Sequence, residues 1–452
     1  MKKNIAIYAS LFMMLFLSAS CNKDEDTYVS ETSPYAYAES FAIDNIAYPF
    51  HELDVNGNDV IVEKVVSGSE FKFVVDQKAK EIYNVDSLAY GTRVNKVVAT
   101  LSCVGVPYRY DEAIGDYVYF SSTDSVDYTN PVKVLIKSTD ATFDNFYTIK
   151  INVHKVDPEL LVWEQFEDVA LDGVSPVKMV EKGASVYLFG VDAAGAPVVA
   201  VSSAEGAPSW DVTGTSLPSS EFSTIQVFGE KFYMLAAGDL YASTDAVSWE
   251  KVSEGNGFVS LFAVTENGAK LWAAGADEIY YTLDGLNFVS SCALPSGFPL
   301  YNTTCITSSL STNADISRAV LVGYATADEQ NEVKVWSSLT NDGEWYEYDF
   351  GNNTNVCPTF KNMVVLGYDN AMFAFGGEAV LGDRTYAPCE KMFVSRDNGI
   401  VWKPCNDYTL LLPKELKGYD AAVAAVVSQG EYIWIATSAI VWKGRINRLG
   451  FK

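Results

Sequence analysis

The stretch "SRDNGIVW", residues 395–402, decides the fold, because it places a Ser, an Asp, a Gly and a Trp in order after an apolar run. The carboxylate of Asp397 can accept backbone N–H groups of the turn that it begins, and Ser395 can do so more weakly. Gly399 tolerates a positive φ. Trp402 then starts an outer strand and buries a large ring between neighbouring sheets. The stretch therefore predicts a tight turn between antiparallel strands.

Four degenerate copies precede this stretch. "SAEGAPSW", "STDAVSW", "TLDGLNF" and "SLTNDGEW" start at residues 203, 243, 282 and 338. Two of them keep the acid, and their matching residues are Ser243, Asp245, Trp249 and Asp284. The other two copies have Glu205 and Thr340 at the Asp position. Such spacing indicates a repeat architecture. A strand precedes each copy and an aromatic-rich strand precedes that one, so the unit is a four-stranded meander, or one propeller blade.

The number of blades depends on the strands that remain. Five blades contain a motif, and the C-terminal strands form a sixth that is one strand short. The segment "LVWEQFEDVA", residues 161–170, has the Trp-plus-polar pattern of the outer strands. We expect it to pair with the last blade and close a six-bladed ring, which would remove exposed sheet edges.

Residues 35–156 predict a separate β-domain. "VKVLIKS" and "YTIKINV" alternate apolar and polar residues, and "EFKFVVD" and "VVATLSCV" are further strand candidates. Six or seven short strands in this length favour an Ig-like β-sandwich. Cys103 is the single Cys and no Trp is present, so the likeness is loose. The predicted fold class is all-β, with an Ig-like β-sandwich followed by a six-bladed β-propeller over residues 157–452.

The N-terminus predicts an export signal. Lys2 and Lys3 precede an apolar run over residues 5–17, and "SAS" stands before Cys21. The run is too short to cross a bilayer as a helix. It resembles a bacterial lipoprotein signal, although Leu17 stands four residues before the Cys, not three. The resemblance implies a signal peptide over residues 1–20 and lipidation of Cys21.

The sequence after the Cys predicts a tether. Residues 21–34 are polar and lack apolar periodicity. The acidic run "NKDED" is similar to the surface-export signal of Bacteroidetes lipoproteins. The expected location is therefore the outer membrane, with a lipid anchor holding the protein at the cell exterior.

Composition narrows the choice of partners. The chain has 58 acidic and 32 basic side chains and a formal net charge of −26. This surface repels nucleic acid and anionic lipid, so we expect no nucleic-acid partner. Tyr, Phe and Trp number 27, 24 and 9. This abundance suits β-structure and also carbohydrate-binding faces.

The sequence contains few of the residues and motifs that are typical of enzymes. His51 and His154 are its two His residues, and both precede the predicted propeller. No P-loop and no GxGxxG after a strand is present. We therefore expect no catalytic residue, metal site or cofactor. A glycosidase with two carboxylates remains an alternative, since spacing in sequence means little in a ring.

Two resemblances add to this interpretation. The motif of residues 395–402 resembles the Asp-box of sialidase-type propellers, with Val401 where Thr is expected. A sialidase would also have an Arg cluster and an Arg-Ile-Pro sequence, and the latter is missing here. The whole chain resembles Bacteroides lipoproteins of unknown function that join an Ig-like domain to a six-bladed propeller. The resemblance implies no activity.

A binding module for a glycan or a protein partner is the expected function, and a hydrolase or a scaffold of a surface complex is the alternative.

The long loops predict one binding face. An antiparallel meander puts the loops at residues 291–302, 323–333, 377–389 and 406–420 on the side opposite the Asp-box turns, and insertions in repeat proteins often gather on the binding face. The candidate binding residues on these loops are Tyr301, Asp383, Arg384, Tyr386 and Tyr408. Aromatic and charged groups of this kind suit sugar rings or a protein partner. The alternative is that the aromatic residues only pack their own loops.

Two Cys residues flank the 395–402 turn. Cys389 and Cys405 lie at nearly equal distance from it, which would place them on adjacent strands. An exported protein can form disulfides. The sequence leaves open whether these residues form a disulfide or remain two buried thiols.

Overall fold

A computed structural model describes residues 32–53, 59–217, 221–328, 332–340, 343–406, 408–438 and 440–450. The predicted signal peptide, Cys21 and most of the tether lie outside these residues. The chain divides into two units, Met1–Pro49 with Glu63–Lys155 and Phe50–Val62 with Val156–Lys452. The all-β prediction is confirmed, since the regular elements described are strands and short 3₁₀ helices. The 3₁₀ helices are Gly68–Glu70, Val169–Leu171, Phe222–Thr224, Lys414–Leu416 and Asn447–Gly450.

The N-terminal domain is a sandwich of a small and a large sheet. The strands described between residues 32 and 155 are β1 (Tyr37–Ile43), β2 (Ile46–Leu53), β3 (Asp59–Val66), β4 (Phe73–Asp76), β5 (Glu81–Asn84), β6 (Val97–Val104), β7 (Val106–Asp111), β8 (Asp116–Tyr119), β9 (Ser125–Val126), β10 (Val132–Lys137) and β11 (Asp144–Lys150). Of these, β2 and β3 extend into the segment Phe50–Val62, which groups with the second unit. The sheets have the orders β1-β6-β9 and β4-β5-β11-β10-β7-β8, and β2 pairs with β3.

The alternation seen in the sequence determines the core of this sandwich. Val132, Val134 and Ile136 are buried, as the period of two requires. Eleven strands are described here instead of the six or seven expected. The missed hairpin β7–β8 explains part of the difference, because every residue of β7 is partly buried and the strand lacks a clear alternation.

The second unit contains six four-stranded antiparallel sheets. The first strand in the chain is β12 (Leu161–Glu167). Blades one to four follow in order as β13 (Ser175–Lys182), β14 (Ser185–Val191), β15 (Pro197–Ser203) and β16 (Asp211–Gly214); β17 (Gln226–Phe228), β18 (Lys231–Ala236), β19 (Asp239–Ser243) and β20 (Glu250–Ser253); β21 (Ser260–Val264), β22 (Lys270–Ala274), β23 (Glu278–Thr282) and β24 (Val289–Ala293); β25 (Tyr301–Leu310), β26 (Asn313–Tyr324), β27 (Lys334–Leu339) and β28 (Tyr346–Glu347).

Blade five carries an insertion and blade six closes the ring. The remaining strands are β29 (Thr359–Phe360), β30 (Val364–Tyr368), β31 (Ala371–Phe375), β32 (Ala379–Leu381), β33 (Arg384–Tyr386), β34 (Phe393–Ser395), β35 (Lys403–Pro404), β36 (Ala424–Ser428), β37 (Tyr432–Ala436) and β38 (Ile440–Ile446). Blade five is β30-β31-β34-β35. The hairpin β32–β33 is inserted between β31 and β34, and it forms a small sheet with β29, which precedes the blade. Blade six is β36-β37-β38 with β12 at its outer edge.

The predicted closing strand is confirmed. Strand β12 pairs with β38 along its whole length, from Leu161 opposite Ile446 to Glu167 opposite Ile440. The six inner strands, β13, β17, β21, β25, β30 and β36, contact one another in that order, and β36 contacts β13. The sheets therefore form a closed six-bladed ring.

The turn at residues 395–402 has a compact set of hydrogen bonds. The Ser395 hydroxyl donates to Asp397 Oδ1 at 2.8 Å, and the Gly399 N–H donates to Ser395 Oγ at 2.9 Å. The Val401 N–H donates to Asp397 Oδ1 at 2.9 Å. Gly399 has φ +90°, which a side chain would strain. The Ser and Asp thus satisfy the backbone of the turn, whereas kinship with the Asp-box stays a prediction.

Two further copies bind their turns in the same way. Asp245 Oδ1 accepts the backbone N–H of Ser248 at 2.8 Å, and Asp284 Oδ1 accepts that of Asn287 at 2.8 Å. These bonds favour the charged carboxylates and lower the pKa of both aspartates. The two acids are therefore ionised at neutral pH, which is the form that accepts the backbone N–H groups.

The aromatic residue at the end of the motif packs against the preceding blade. Trp402 is fully buried among residues of blades four and five, including Val322 and Val335. Trp249 packs with Phe189 of blade one in the same manner. Such a repeat fixes its own turn and places a ring against its neighbour, which explains why one short motif can specify the ring of blades.

Cys389 and Cys405 do not form a disulfide in this structure. Both are buried thiols. The Cys405 N–H donates to Met392 O at 2.8 Å, so Cys389 lies three residues away from the position opposite Cys405. Cys389 lies in a turn, with φ +49°, and not on a strand beside Cys405 as the sequence suggests.

Candidate functional site

A cavity of ≈ 310 Å³, the channel-mouth cavity, lies where the inner strands of the ring begin. Its lining comes from opposite sides of the ring. Tyr301, Val364 and Ala424 are the first residues of the inner strands of blades four, five and six, and all three line it. Val177 and Lys178 line it from the inner strand of blade one. The cavity therefore lies at the end of the central channel opposite the Ser–Asp turns, because those turns come after the third strand of each meander.

A second cavity, of ≈ 450 Å³, lies beside the 395–402 turn. Arg396, Asp397 and Lys403 are among its lining residues. The Asp397 carboxylate is already engaged by the Ser395 hydroxyl and by the backbone of its own turn. This cavity therefore borders a structural motif, and the channel-mouth cavity is the better candidate for a binding site.

Hydrogen bonds between blades four and five hold one wall of the channel-mouth cavity. Asn302 Nδ2 donates to Met363 O at 3.0 Å, and the Tyr324 hydroxyl donates to Phe360 O at 2.7 Å. Asn302 and Asn362, which both line the cavity, have positive φ values of +47° and +51°. Asn tolerates this conformation better than most residues. Asn302 lies at an irregularity near the start of β25, and Asn362 lies two residues before β30, so the wall is formed where these two inner strands begin.

Lys178 supplies the charge of this cavity. Its side chain is half-buried, and its ammonium group has no hydrogen-bond or ion-pair partner within the described part of the chain. Desolvation lowers its pKa. The other described residues that line the cavity are uncharged. The local charge is therefore positive, in a chain whose formal net charge is −26.

The long loops meet on this side of the ring. The Gly418 N–H donates to Pro388 O at 2.7 Å, which joins the loop 406–420 to the loop 377–389. Lys361 Nζ lies 3.7 Å from Asp420 Oδ1. Lys361 immediately precedes the cavity residue Asn362, so these loops lie next to the channel mouth.

The structure separates the five candidate binding residues. Tyr301 is 37 % exposed and lines the cavity, whereas Tyr408 is 51 % exposed and does not line it. Asp383 and Arg384 are exposed at the tip of the inserted hairpin. Tyr386 is buried, with its ring 5.1 Å from that of Phe393.

The prediction of an accessible aromatic platform at Tyr386 is wrong. The Arg384 guanidinium lies 4.6 Å from the centre of its ring, which is otherwise packed into blade five. Phe298 is also buried, against Trp336 and Trp345. Tyr386 and Phe298 therefore pack within the protein, which agrees with the alternative interpretation that these aromatic residues only pack their own loops.

Sequence reasoning missed Lys178, Ser223 and Asn362. The sequence contains one usable signal for them, namely a Lys in the apolar inner strand "SPVKMV". Interpreting it requires knowing which strand of each blade is innermost and at which end the cavity lies. Both are properties of the closed ring.

The N-terminal unit carries a second aromatic surface. Tyr119 and Phe146 are 60 % and 52 % exposed on its large sheet. Tyr108 lies opposite Tyr119, on the adjacent strand. The ring centroids of Tyr117 and Phe146 are 6.2 Å apart. Exposed aromatic groups that a ligand could contact are therefore present in both units.

Neither a metal centre nor a membrane-spanning helix is found in the described residues. Throughout those ranges, no three His, Cys, Asp or Glu side chains are grouped as metal ligands would be. None of the helices there is long and apolar enough to cross a membrane.

Two family models together cover most of the chain. Residues 157–452 match the family described as "DUF6242 beta propeller domain". The chain belongs to this DUF6242 family. Residues 41–151 match the domain of unknown function described as the DUF6242 N-terminal domain. No curated protein matches this DUF6242 chain.

Several solved structures are similar to this DUF6242 chain at low identity. A DUF4623 family protein from Bacteroides eggerthii is 11 % identical, with 91 % of this chain and 98 % of that chain covered and a TM-score of 0.36. The GH74 xyloglucanase from Xanthomonas campestris is 13 % identical over 70 % and 50 % of the two chains, with a TM-score of 0.37. A lectin from Aleuria aurantia is 13 % identical over 61 % and 92 %, with a TM-score of 0.33.

Proposed function

We propose that this protein is a lipid-anchored binding protein of the outer membrane and that its propeller binds a glycan at the channel mouth. The observation that best supports glycan binding is the set of residues that line the channel-mouth cavity. Ser223, Thr304, Asn302 and Asn362 bring hydroxyl and amide groups to it, and Tyr301 brings an exposed ring. Hydrogen-bonding groups beside an aromatic face suit a sugar, which has hydroxyl groups around an apolar ring face.

The size of the cavity fits this class of ligand. Its volume of ≈ 310 Å³ lies at the lower end of the range of small-molecule sites, about 300–1,000 Å³. Hydrolysis of a glycoside in the cavity would need two carboxylates, and no Asp or Glu is among its described lining residues. Binding without turnover is therefore the function we propose, and hydrolysis is the alternative to test.

The lipid anchor is tested at Cys21. Cys21→Ser is expected to move the protein from the membrane fraction to the soluble fraction and to abolish incorporation of a labelled fatty acid, because the thiol is the acylated group. Cys103→Ser removes a thiol from the N-terminal domain and serves as the control, with membrane association and labelling retained. Wild-type protein that takes up no label would contradict the proposal, as would a Cys21→Ser variant that remains in the membrane fraction.

Glycan binding is tested with the purified full chain on a glycan array, with titration of any ligand found. Tyr301→Ala is expected to weaken binding by about tenfold, since stacking on one ring contributes roughly 0.5–1.5 kcal/mol beyond area burial. Tyr346→Ala removes an exposed ring from the outer edge of blade four and should leave affinity unchanged.

Three outcomes would contradict this proposal. Absence of binding to every glycan would argue for a protein partner or a scaffold. Release of sugar from a bound glycoside would show that the protein is a hydrolase. Affinity that survives Tyr301→Ala but falls on Tyr408→Ala would place the ligand on the loop 406–420 instead of in the channel-mouth cavity.

A further inference from the structure

The position of Lys178 depends on an irregularity of its strand. The pairing of β13 with β14 shifts register between Pro176 and Lys178, so the strand contains one extra residue at this point. Such a bulge redirects a side chain and is often found beside functional sites. Here it directly precedes the one residue that brings charge to the described lining of the channel-mouth cavity.

The surroundings of Lys178 leave its charge uncompensated. Ammonium groups of low exposure are normally paired with an acid or with other acceptors, whereas the half-buried Lys178 side chain remains partly exposed in the cavity. Lys443, a Lys of low exposure, donates to the carbonyl oxygens of Ala204 and Gly206 at 3.0 and 2.9 Å. Lys178 has no such acceptors in the described residues. An anionic ligand in the cavity would supply the missing partner.

The neutral part of the lining indicates what else this ligand carries. The hydroxyl groups of Ser223 and Thr304 and the exposed ring of Tyr301 lie around the same cavity as Lys178. One cation matches one negative charge, whereas sites for a doubly charged phosphate usually gather several donors. The lining therefore fits a molecule with a single carboxylate and several hydroxyl groups.

We propose that Lys178 binds the carboxylate of an acidic sugar, such as a uronic or sialic acid residue, within the channel-mouth cavity. This inference rests on the proposed glycan-binding function and narrows the class of glycan. Tyr301 contacts the sugar ring in this arrangement, and Lys178 determines the preference for acidic over neutral sugars.

The test uses acidic oligosaccharides and their methyl esters, which differ in charge at one group. Galacturonate, glucuronate and sialic acid oligosaccharides are each titrated into the full chain beside the ester. At least one acid is expected to bind about ten- to a hundredfold more tightly than its ester, as a charge-assisted hydrogen bond would give. The preference should decrease as salt is added.

Variants assign this preference to Lys178. Lys178→Met keeps the length of the side chain, and it should bind acid and ester equally. Lys403→Met removes the same charge from an exposed position on the outer strand of blade five and should keep the preference. A melting temperature of Lys178→Met no lower than that of the wild type shows that the fold is intact.

The outcomes separate this inference from the proposed function. A glycan that binds in a Tyr301-dependent way with no preference for the acid overturns the role of Lys178 and leaves glycan binding standing. Preference retained in Lys178→Met also overturns it. Absence of any glycan binding overturns both, and Lys178-dependent binding of an acidic peptide instead would show that the ligand class is wrong.

Discussion

Deletion of residues 161–167 is expected to lower the melting temperature of the propeller by roughly 10 °C or more, because a loss of several kcal/mol shifts it by about 2–4 °C per kcal/mol in a unit of this size. The deletion removes the seven-residue strand that pairs with β38. It also removes Leu161 from the core and Trp163, whose Nε1 donates to Leu411 O at 2.7 Å. The exposed edge of β38 should then promote aggregation.

Two substitutions refine this experiment. A Cβ atom at Gly444 would clash with the Trp163 ring, so Gly444→Ala should weaken the same pairing without shortening the chain. Gln165→Ala lies at an exposed position of the strand and should change stability by no more than about 0.5 kcal/mol. Thermal unfolding monitored by circular dichroism measures all three variants. A deletion variant that melts like the wild type would mean that ring closure contributes little to stability.

Trp402→Ala is expected to lower the free energy of unfolding by about 3–5 kcal/mol, the usual range for removing a buried aromatic side chain. Its ring is fully buried beside Val322 and Val335 of the preceding blade. Its Nε1 donates to Gly399 O at 3.0 Å. The substitution therefore opens a cavity between two blades and leaves a turn carbonyl without its donor.

Trp402→Phe is the matched variant, since it keeps most of the apolar ring but loses the hydrogen bond, and we expect a loss of about 1–2 kcal/mol. Denaturant unfolding gives both values. Equal stability of Trp402→Ala and the wild type would show that the motif Trp does not hold the blades together.

The ring could be predicted from the sequence because its determinants are local. Ser395, Asp397 and Gly399 form hydrogen bonds within one turn, so their separation in the sequence is enough to predict that they lie close together. The closing strand at residues 161–167 could also be predicted, because the C-terminal sequence supplies only three of the four strands that a blade needs. These features need no knowledge of the tertiary arrangement.

The candidate site was harder to predict, because the closed ring determines which side chains are buried and which residues line the same cavity. Tyr386 and Tyr301 are both Tyr residues on long loops, yet one is packed against Phe393 and the other lines the cavity. Lys178 of blade one and Tyr301 of blade four line the same cavity only because the blades form a closed ring. Spacing along the chain carries no record of that geometry.

Closure by β12 and β38 also has a consequence for synthesis. Leu161 pairs with Ile446, so 446 − 161 = 285 positions separate two residues that must meet. A pairing this distant raises the contact order of the ring, and folding that depends on such contacts is slow. The ribosome must therefore make all the intervening blades before β12 can pair with β38. Until then, the backbone N–H and C=O groups of β12 lack the strand with which they pair in the folded protein.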